Sequence, residues 1–555
     1  MPARSFPFAL LIALAGALFF IPFLGAVHLF DWDEINFAES AREMIASGNY
    51  AQVQINYQPF WEKPPLFIWL QVISMQLLGI NEFAARLPDA ITGIITLMTF
   101  YLVGRKYYSA RLGWLWCLCM AGSLLPHLYF KSGIIDPVFN FFIFLGIFQL
   151  QLLTADQYRS IAYKEAILAG IFIGLGTLTK GPVALLVFIL CGGAYWIVTR
   201  FRPLIKIKEL LLFAFAYIIT TGTWLLTDVY QNGWNFTSQF IQYQVELLTK
   251  PVAGHGGPLY YHFVVVFLGC FPMSVIALPA LFSGHPKKEK TDMHRWMLIL
   301  FWVVIILFSL VKTKIVHYSS LTYFPLSFLA ALTLDKSWQQ KQRVSKSVLL
   351  LTLVIGTIIS IAFTAAPWVA QHPELIIPYI NDPFAVDCLH TPVAWNGYEG
   401  MIGIVYWLLI IVAVWLLWTN QTRNGSLVLF GATALFLLVY LKAVVPKIES
   451  YSQGPAIKFY QHLKGKDVYV IPVGFKSYAH YFYFQKPPGR REESNSEQWL
   501  TEGPLDRTAY FVVKTTSLPQ MQDREQLTFL YREGGFAFFK REPPVSTNPI
   551  LPAGK

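Results

Sequence analysis

Runs of about twenty apolar residues, separated by short polar stretches, recur along the chain from residue 8 to residue 444. A bilayer core of roughly 30 Å needs about 20 such residues per helix, so the pattern predicts repeated helical crossings. Spans are expected at 8–28, 87–104, 112–130, 137–154, 164–180, 182–198, 208–228, 260–282, 296–312, 316–334, 347–366, 401–418 and 426–444, thirteen in all. The runs are continuous rather than alternating with polar residues, which excludes a membrane β-barrel. The apolar stretch 64–78 is short and opens on Pro64-Pro65, so it is expected to lie along the interface, as is the amphipathic segment 35–47. The first run reads as a span and not a cleaved signal, because Pro22, His28 and Phe30 follow where a small-residue cleavage site would stand.

Past residue 446 the pattern shifts to that of a small soluble domain. Apolar runs at 468–473, 509–513 and 536–539 read as buried strands with helical patterns between them. The expected organisation is a transmembrane domain over 1–445 and a small α/β domain over 446–555, ending in a disordered tail from residue 543. The fold class expected is therefore an all-α polytopic membrane protein with juxtamembrane helices and a soluble α/β C-terminal domain.

Composition agrees, since 55% hydrophobic and 14% charged residues is far from the soluble norm. The net charge of +11 comes from short Lys/Arg clusters between spans, not from a basic stripe with interleaved aromatics, so no nucleic-acid partner is expected. With the N-terminus cytoplasmic, those clusters fall in the inside loops: Arg105, Lys106 and Arg111, then Arg200, Arg202, Lys206 and Lys208, then Lys336, Lys341, Arg343 and Lys346. Counting 64–78 as a span would turn nearly all of them outside. The expected location is the inner (plasma) membrane, with the C-terminal domain and the loop at 31–86 on the periplasmic side. The five cysteines form neither a disulfide framework nor a zinc cluster.

The loop at 31–86 carries the densest chemistry. Asp33 and Glu34 stand where a helix would start, and Glu62-Lys63 precede the two prolines of the same loop. Helix capping accounts for acids at a helix start, but not for a second acid–base pair fixed by prolines. Asp136, before Pro137, and Lys180, in Thr179-Lys180-Gly181-Pro182, sit at the outside ends of abutting apolar segments, where a charge is costly unless used. Lys180 has the alternative of snorkelling to the interface. Two later spans open on a cation or imidazole beside tyrosines: His255 with Tyr260 and Tyr261, and Lys314 with His317 and Tyr318. The alternative for these tyrosines is the interfacial aromatic belt. Transfer of a sugar from a lipid-linked phosphate needs a carboxylate to orient or deprotonate an acceptor hydroxyl, and cations to stabilise the departing phosphate. Asp33 and Asp136 suit the first task. Lys63, Lys314 and His255 suit the second, with Tyr318 as a hydrogen-bond donor to phosphate and Glu34, Lys180, Tyr260 and Tyr261 as substrate-binding groups.

The order of Asp33-Glu34, Ala41-Arg42-Glu43-Met44, Trp61-Glu62-Lys63-Pro64-Pro65, Phe83-Ala84-Ala85-Arg86-Leu87-Pro88, Asp136-Pro137, Thr179-Lys180-Gly181-Pro182 and Pro258-Leu259-Tyr260-Tyr261 resembles the C-type-fold (GT-C) membrane glycosyltransferases. The likeness is to the bacterial lipid A aminoarabinose transferases and the dolichyl-phosphate-mannose protein mannosyltransferases, over the first 330 residues. The resemblance implies an inverting glycosyltransferase with a polyprenyl-phosphate-linked sugar donor, such as 4-amino-4-deoxy-L-arabinose, and lipid A or another membrane-associated acceptor. It implies Asp33 as principal catalytic carboxylate, Asp136 as a second acid, Lys63 and Tyr318 as phosphate-binding groups, and Glu62 with His255 as ligands of a divalent metal such as zinc. Glu62 has the alternative of pairing with Lys63 or Lys314. Rival readings are transfer to Ser/Thr of secreted proteins and, from another class, a transporter or flippase. A transporter would place polar groups at mid-membrane in two related halves, and no internal repeat is seen.

Overall fold

The computed structural model describes residues 6–155, 162–202, 205–249, 256–282, 292–489 and 492–544. Helices dominate up to residue 449. Among the described residues seven helices are long and apolar enough to cross a membrane: Glu82–Tyr107, Asp136–Thr154, Ile207–Asn232, Met293–Leu310, Lys346–Gln371, Glu399–Trp418 and Thr422–Ala443. The multi-pass reading stands on these. They do not test the expected count of thirteen, because several of the other apolar runs are interrupted or short among the described residues.

The run at 260–282 is two helices, Tyr261–Gly269 and Met273–Phe282, bent by 117°. The run at 112–130 breaks into Ala110–Ala121 and Leu124–Tyr129. Gly122 sits at that break against the Phe430 backbone, where a Cβ would lie 2.4 Å from the carbonyl oxygen. The run at 316–334 begins with a 3-10 turn, Val316–Thr322, before the helix Tyr323–Gln340. The first helix covers only Phe6–Phe20. Hydropathy reports composition and is blind to such breaks.

The stretch expected along the interface is the 13-residue helix Leu66–Leu78, too short to span. The segment 35–47 differs from expectation. It forms the helix Asp33–Ser47, but its residues from Glu34 to Met44 are all buried, so no polar face meets water. Its charges are satisfied internally instead: Arg42 makes two 2.7 Å bonds to Glu39, and Glu43 accepts from the Asn56 and Tyr57 amides. A two-residue hairpin links β1 (Gln54–Ile55) and β2 (Gln58–Pro59).

Near the C-terminus, β3 (Tyr469–Val473), β4 (Ala509–Lys514), β5 (Thr528–Glu533) and β6 (Phe536–Arg541) form one sheet in the order β3-β4-β6-β5. β3 is parallel to β4, and the other pairs are antiparallel with a register shift at Phe529/Tyr531. Three strands fall on the expected runs. β5 was not expected: as an edge strand it buries none of its residues, so it carries no hydrophobic alternation. The helix Gly454–Leu463 covers the sheet through Phe459, whose ring lies 4.4 Å from that of Phe538. A single apolar cluster joins this layer to the loop helix, running from Ile35, Ala38 and Met44 to Phe459, Phe482 and Phe538. The expected disordered tail lies mostly outside the described residues.

Candidate active site

Asp33 is the first residue of its helix and Asp136 the first of Asp136–Thr154, with Pro137 next. Pro at that position loses no helical bond, and an acid there meets the positive end of the helix dipole. Lys180 is the last residue of Ala162–Lys180, a neighbour of Asp136–Thr154. Gly181 then turns the chain at φ 103°, which a side chain would resist. Helix start and helix end thus meet, and Lys180 Nζ lies 2.6 Å from Asp136 Oδ1.

The 3-10 turn closes the group. His317 Nε2 stands 3.3 Å from Asp33 Oδ2 and 3.8 Å from Asp136 Oδ2, bridging the two carboxylates. Burial holds His317 below its usual pKa, with Asp136 and Asp33 acting against the shift. The Tyr318 ring lies 5.0 Å from the Lys180 ammonium, and burial with nearby Asp136 pushes the Tyr318 phenol up to about 12, keeping it a donor. Lys63 is in the same electrostatic field: burial lowers its pKa, opposed by Asp33, Glu62 and Asp136 and assisted by Lys180. The two acids differ in access. Asp33's side chain is 42% exposed and Asp136's 4%. Asp136 Oδ2 is buried without a hydrogen-bond partner, and the His317 imidazole is beside it at 3.8 Å.

The structure brings Asp33, Lys63, Asp136, Lys180 and Tyr318 together, and leaves other expected residues out. Glu34 is enclosed: Arg86 donates to both its oxygens at 2.9 and 2.7 Å, and the Phe30 and Gly133 amides complete its shell. Although burial acts against it, these partners hold its pKa below the usual range. Glu34 therefore anchors the helix, with both oxygens engaged by Arg86 and backbone amides. Lys314 spends its ammonium on the carbonyls of Phe308, Ser309 and Val311, capping Met293–Leu310. Tyr260 is exposed and Tyr261 packs edge-on against His262, and neither contacts the carboxylates. His255 lies outside the described residues. Glu62 is in contact with Tyr243, whose phenol burial and that carboxylate push up. Among the described residues no three His, Cys, Asp or Glu side chains gather to hold a metal ion, so no step is assigned to one.

Two members were missed. His317 stood in the motif with Lys314 and Tyr318, but nothing local in sequence says that its imidazole meets an aspartate 284 positions earlier. Tyr243 had no signal beyond an amphipathic helix.

The profile of the dolichyl-phosphate-mannose-protein mannosyltransferase family matches residues 62–225. An undecaprenyl phosphate-alpha-4-amino-4-deoxy-L-arabinose arabinosyl transferase of Wigglesworthia glossinidia brevipalpis is 23% identical over 354 residues, 62% of each chain. One from Proteus mirabilis (strain HI4320) is 30% identical over 328 residues, 56% of each. The matched segment thus spans less than two thirds of these relatives. The crystal structure of ArnT from Cupriavidus metallidurans bound to undecaprenyl phosphate superposes with a TM-score of 0.75 at 18% identity, covering 96% of this chain and 98% of that one. The chain has the multi-pass helical fold of that structure and is similar in sequence to the aminoarabinose transferases. Within this fold the Asp33–His317–Asp136 group sits where helix ends converge, at the level of the bundle's rim.

Proposed function

We propose that the chain is an inverting glycosyltransferase that moves a sugar, 4-amino-4-deoxy-L-arabinose or a relative, from undecaprenyl phosphate to a lipid A-type acceptor. The reading places the reaction at the periplasmic face of the inner membrane, with residues 446–555 as a periplasmic domain. The observation that carries it is the cluster itself: an accessible Asp33 tied through His317 to a buried Asp136–Lys180 pair, with Lys63 in the same field.

In the reaction, the acceptor hydroxyl oxygen attacks the anomeric carbon from the side opposite the phosphate. The new C–O bond forms as the old C–O bond to phosphate breaks. Asp33 accepts the hydroxyl proton, and the bond pair leaves on the phosphate oxygen. Lys63 and the Tyr318 phenol stabilise the charge that develops there. His317 holds Asp33 in line, and Asp136 offers Oδ2, which has no hydrogen-bond partner, to a sugar or acceptor hydroxyl.

The match of residues 62–225 to the protein mannosyltransferase profile favours a second acceptor, Ser or Thr of secreted proteins. Mass spectrometry of lipid A and of periplasmic glycoproteins, with and without the gene, separates the two. Loss of a sugar from lipid A is expected. Loss confined to glycoproteins would move the acceptor, and no change in either pool would overturn the reading.

A further inference from the structure

Two non-glycine turns with positive φ flank the catalytic groups. Trp32, immediately before Asp33, adopts φ 81° and ψ −102°, and Asn56 and Tyr57, shortly before Lys63, adopt φ 57° and 58°. Trp32 is a bulky residue in a conformation that persists only where surroundings over-determine it, whereas Asn56 and Tyr57 have the φ of a two-residue hairpin turn whose position is what its surroundings must fix. One short stretch of the C-terminal region, residues 476–486, supplies those surroundings at both places.

At the first, the Tyr478 amide donates to Asp31 Oδ1 at 3.2 Å, and the Tyr478 ring meets that of Trp32 edge-on at 5.8 Å. The Lys476 ammonium lies 5.1 Å from the Trp32 ring centre. Just upstream, the Leu29 amide donates to the Tyr483 hydroxyl at 2.7 Å. At the second, Lys486 Nζ donates to Asn56 Oδ1 at 2.7 Å, and the Tyr57 hydroxyl donates to the Lys486 carbonyl at 2.9 Å. Lys486 also holds Asn495 at 2.7 Å, which ties the hairpin to the body of the C-terminal region. On its other side the same turn is gripped by Glu43, which accepts from Asn56 N and Tyr57 N at 2.6 and 2.7 Å.

We propose that residues 476–486 are a positioning element of the active site, setting Asp33 through Trp32 and Lys63 through the Asn56–Tyr57 turn. Tyr478 and Lys486 are its two working residues. They act through the loop and touch no substrate. The proposal rests on the reading of Asp33 and Lys63 as catalytic and phosphate-binding groups, but its first test is independent of activity.

Hydrogen–deuterium exchange on the full-length protein in detergent, comparing wild type with Lys486→Met, Lys486→Arg and Tyr478→Ala, reads the two grips separately. Lys486→Met is expected to speed exchange in residues 54–63 about tenfold, leaving 29–36 unchanged, with Lys486→Arg restoring protection. Tyr478→Ala is expected to do the reverse. With an undecaprenyl-phosphate sugar as donor, Lys486→Met should raise the donor KM roughly tenfold with little change in kcat, and Tyr478→Ala should lower kcat by a similar factor. Unchanged exchange in both loops would overturn the proposal. So would both loops loosening together with a lowered thermal midpoint, since that is packing and not positioning. Exchange that responds as expected in a protein whose wild type transfers no sugar would uphold the grip and overturn the proposed function instead.

Discussion

Asp33 and Asp136 are chemically the same and differ in what surrounds them. Asp33 is partly exposed, while Asp136 is buried with one oxygen bound to Lys180 and the other, beside His317, without a hydrogen-bond partner. Both were legible in the sequence because carboxylates next to apolar runs are costly and rare. His317 was not, since its importance lies in a tertiary contact that no spacing encodes. Lys63 carries a consequence for pH. Burial favours its neutral form, so its ammonium is lost as pH rises through a value below the ordinary lysine range of about 10.4. The alkaline limb of kcat/KM should therefore fall earlier than a solvated lysine would give. Lys63→Arg, which stays charged, should lower the rate about 10- to 100-fold through changed geometry and move that limb upward. A limb that does not move would assign it to another group.

At the scale of elements, helix ends organise the site. The start of Asp136–Thr154 and the end of Ala162–Lys180 place an acid and a base side by side, and the Arg86–Glu34 pair fixes the first turn of Asp33–Ser47 against Glu82–Tyr107. That the motif residues fall at element ends could be read from Pro137, Gly181 and the polar breaks. Which of them stay free could not. Glu34 and Lys314 have the composition of site residues, yet backbone groups and Arg86 consume their bonding capacity. Lys314→Met should thus leave the donor KM within about twofold of wild type. It should cost roughly 1–2 kcal/mol of stability, because three carbonyls at the end of Met293–Leu310 lose their cap. Thermal unfolding in detergent and donor titration check the two halves. A large rise in donor KM would return Lys314 to the phosphate.

For the whole molecule, hydropathy made a helical membrane protein with a C-terminal sheet readable, because burying apolar length leaves few alternatives. It did not show the breaks near Gly122 and between Gly269 and Met273, which depend on how helices pack and not on composition. Nor could it show that the C-terminal region shares an apolar cluster with the loop that bears Asp33. The result is a rim assembled from both halves of the chain over a helical bundle. The most direct measurement is sugar transfer by the purified protein in proteoliposomes, with an undecaprenyl-phosphate sugar donor and lipid A, for wild type and Asp33→Asn at equal folded amounts. Transfer by wild type and a loss of about a thousandfold in Asp33→Asn is the expected result. Equal transfer by the two proteins would contradict the account.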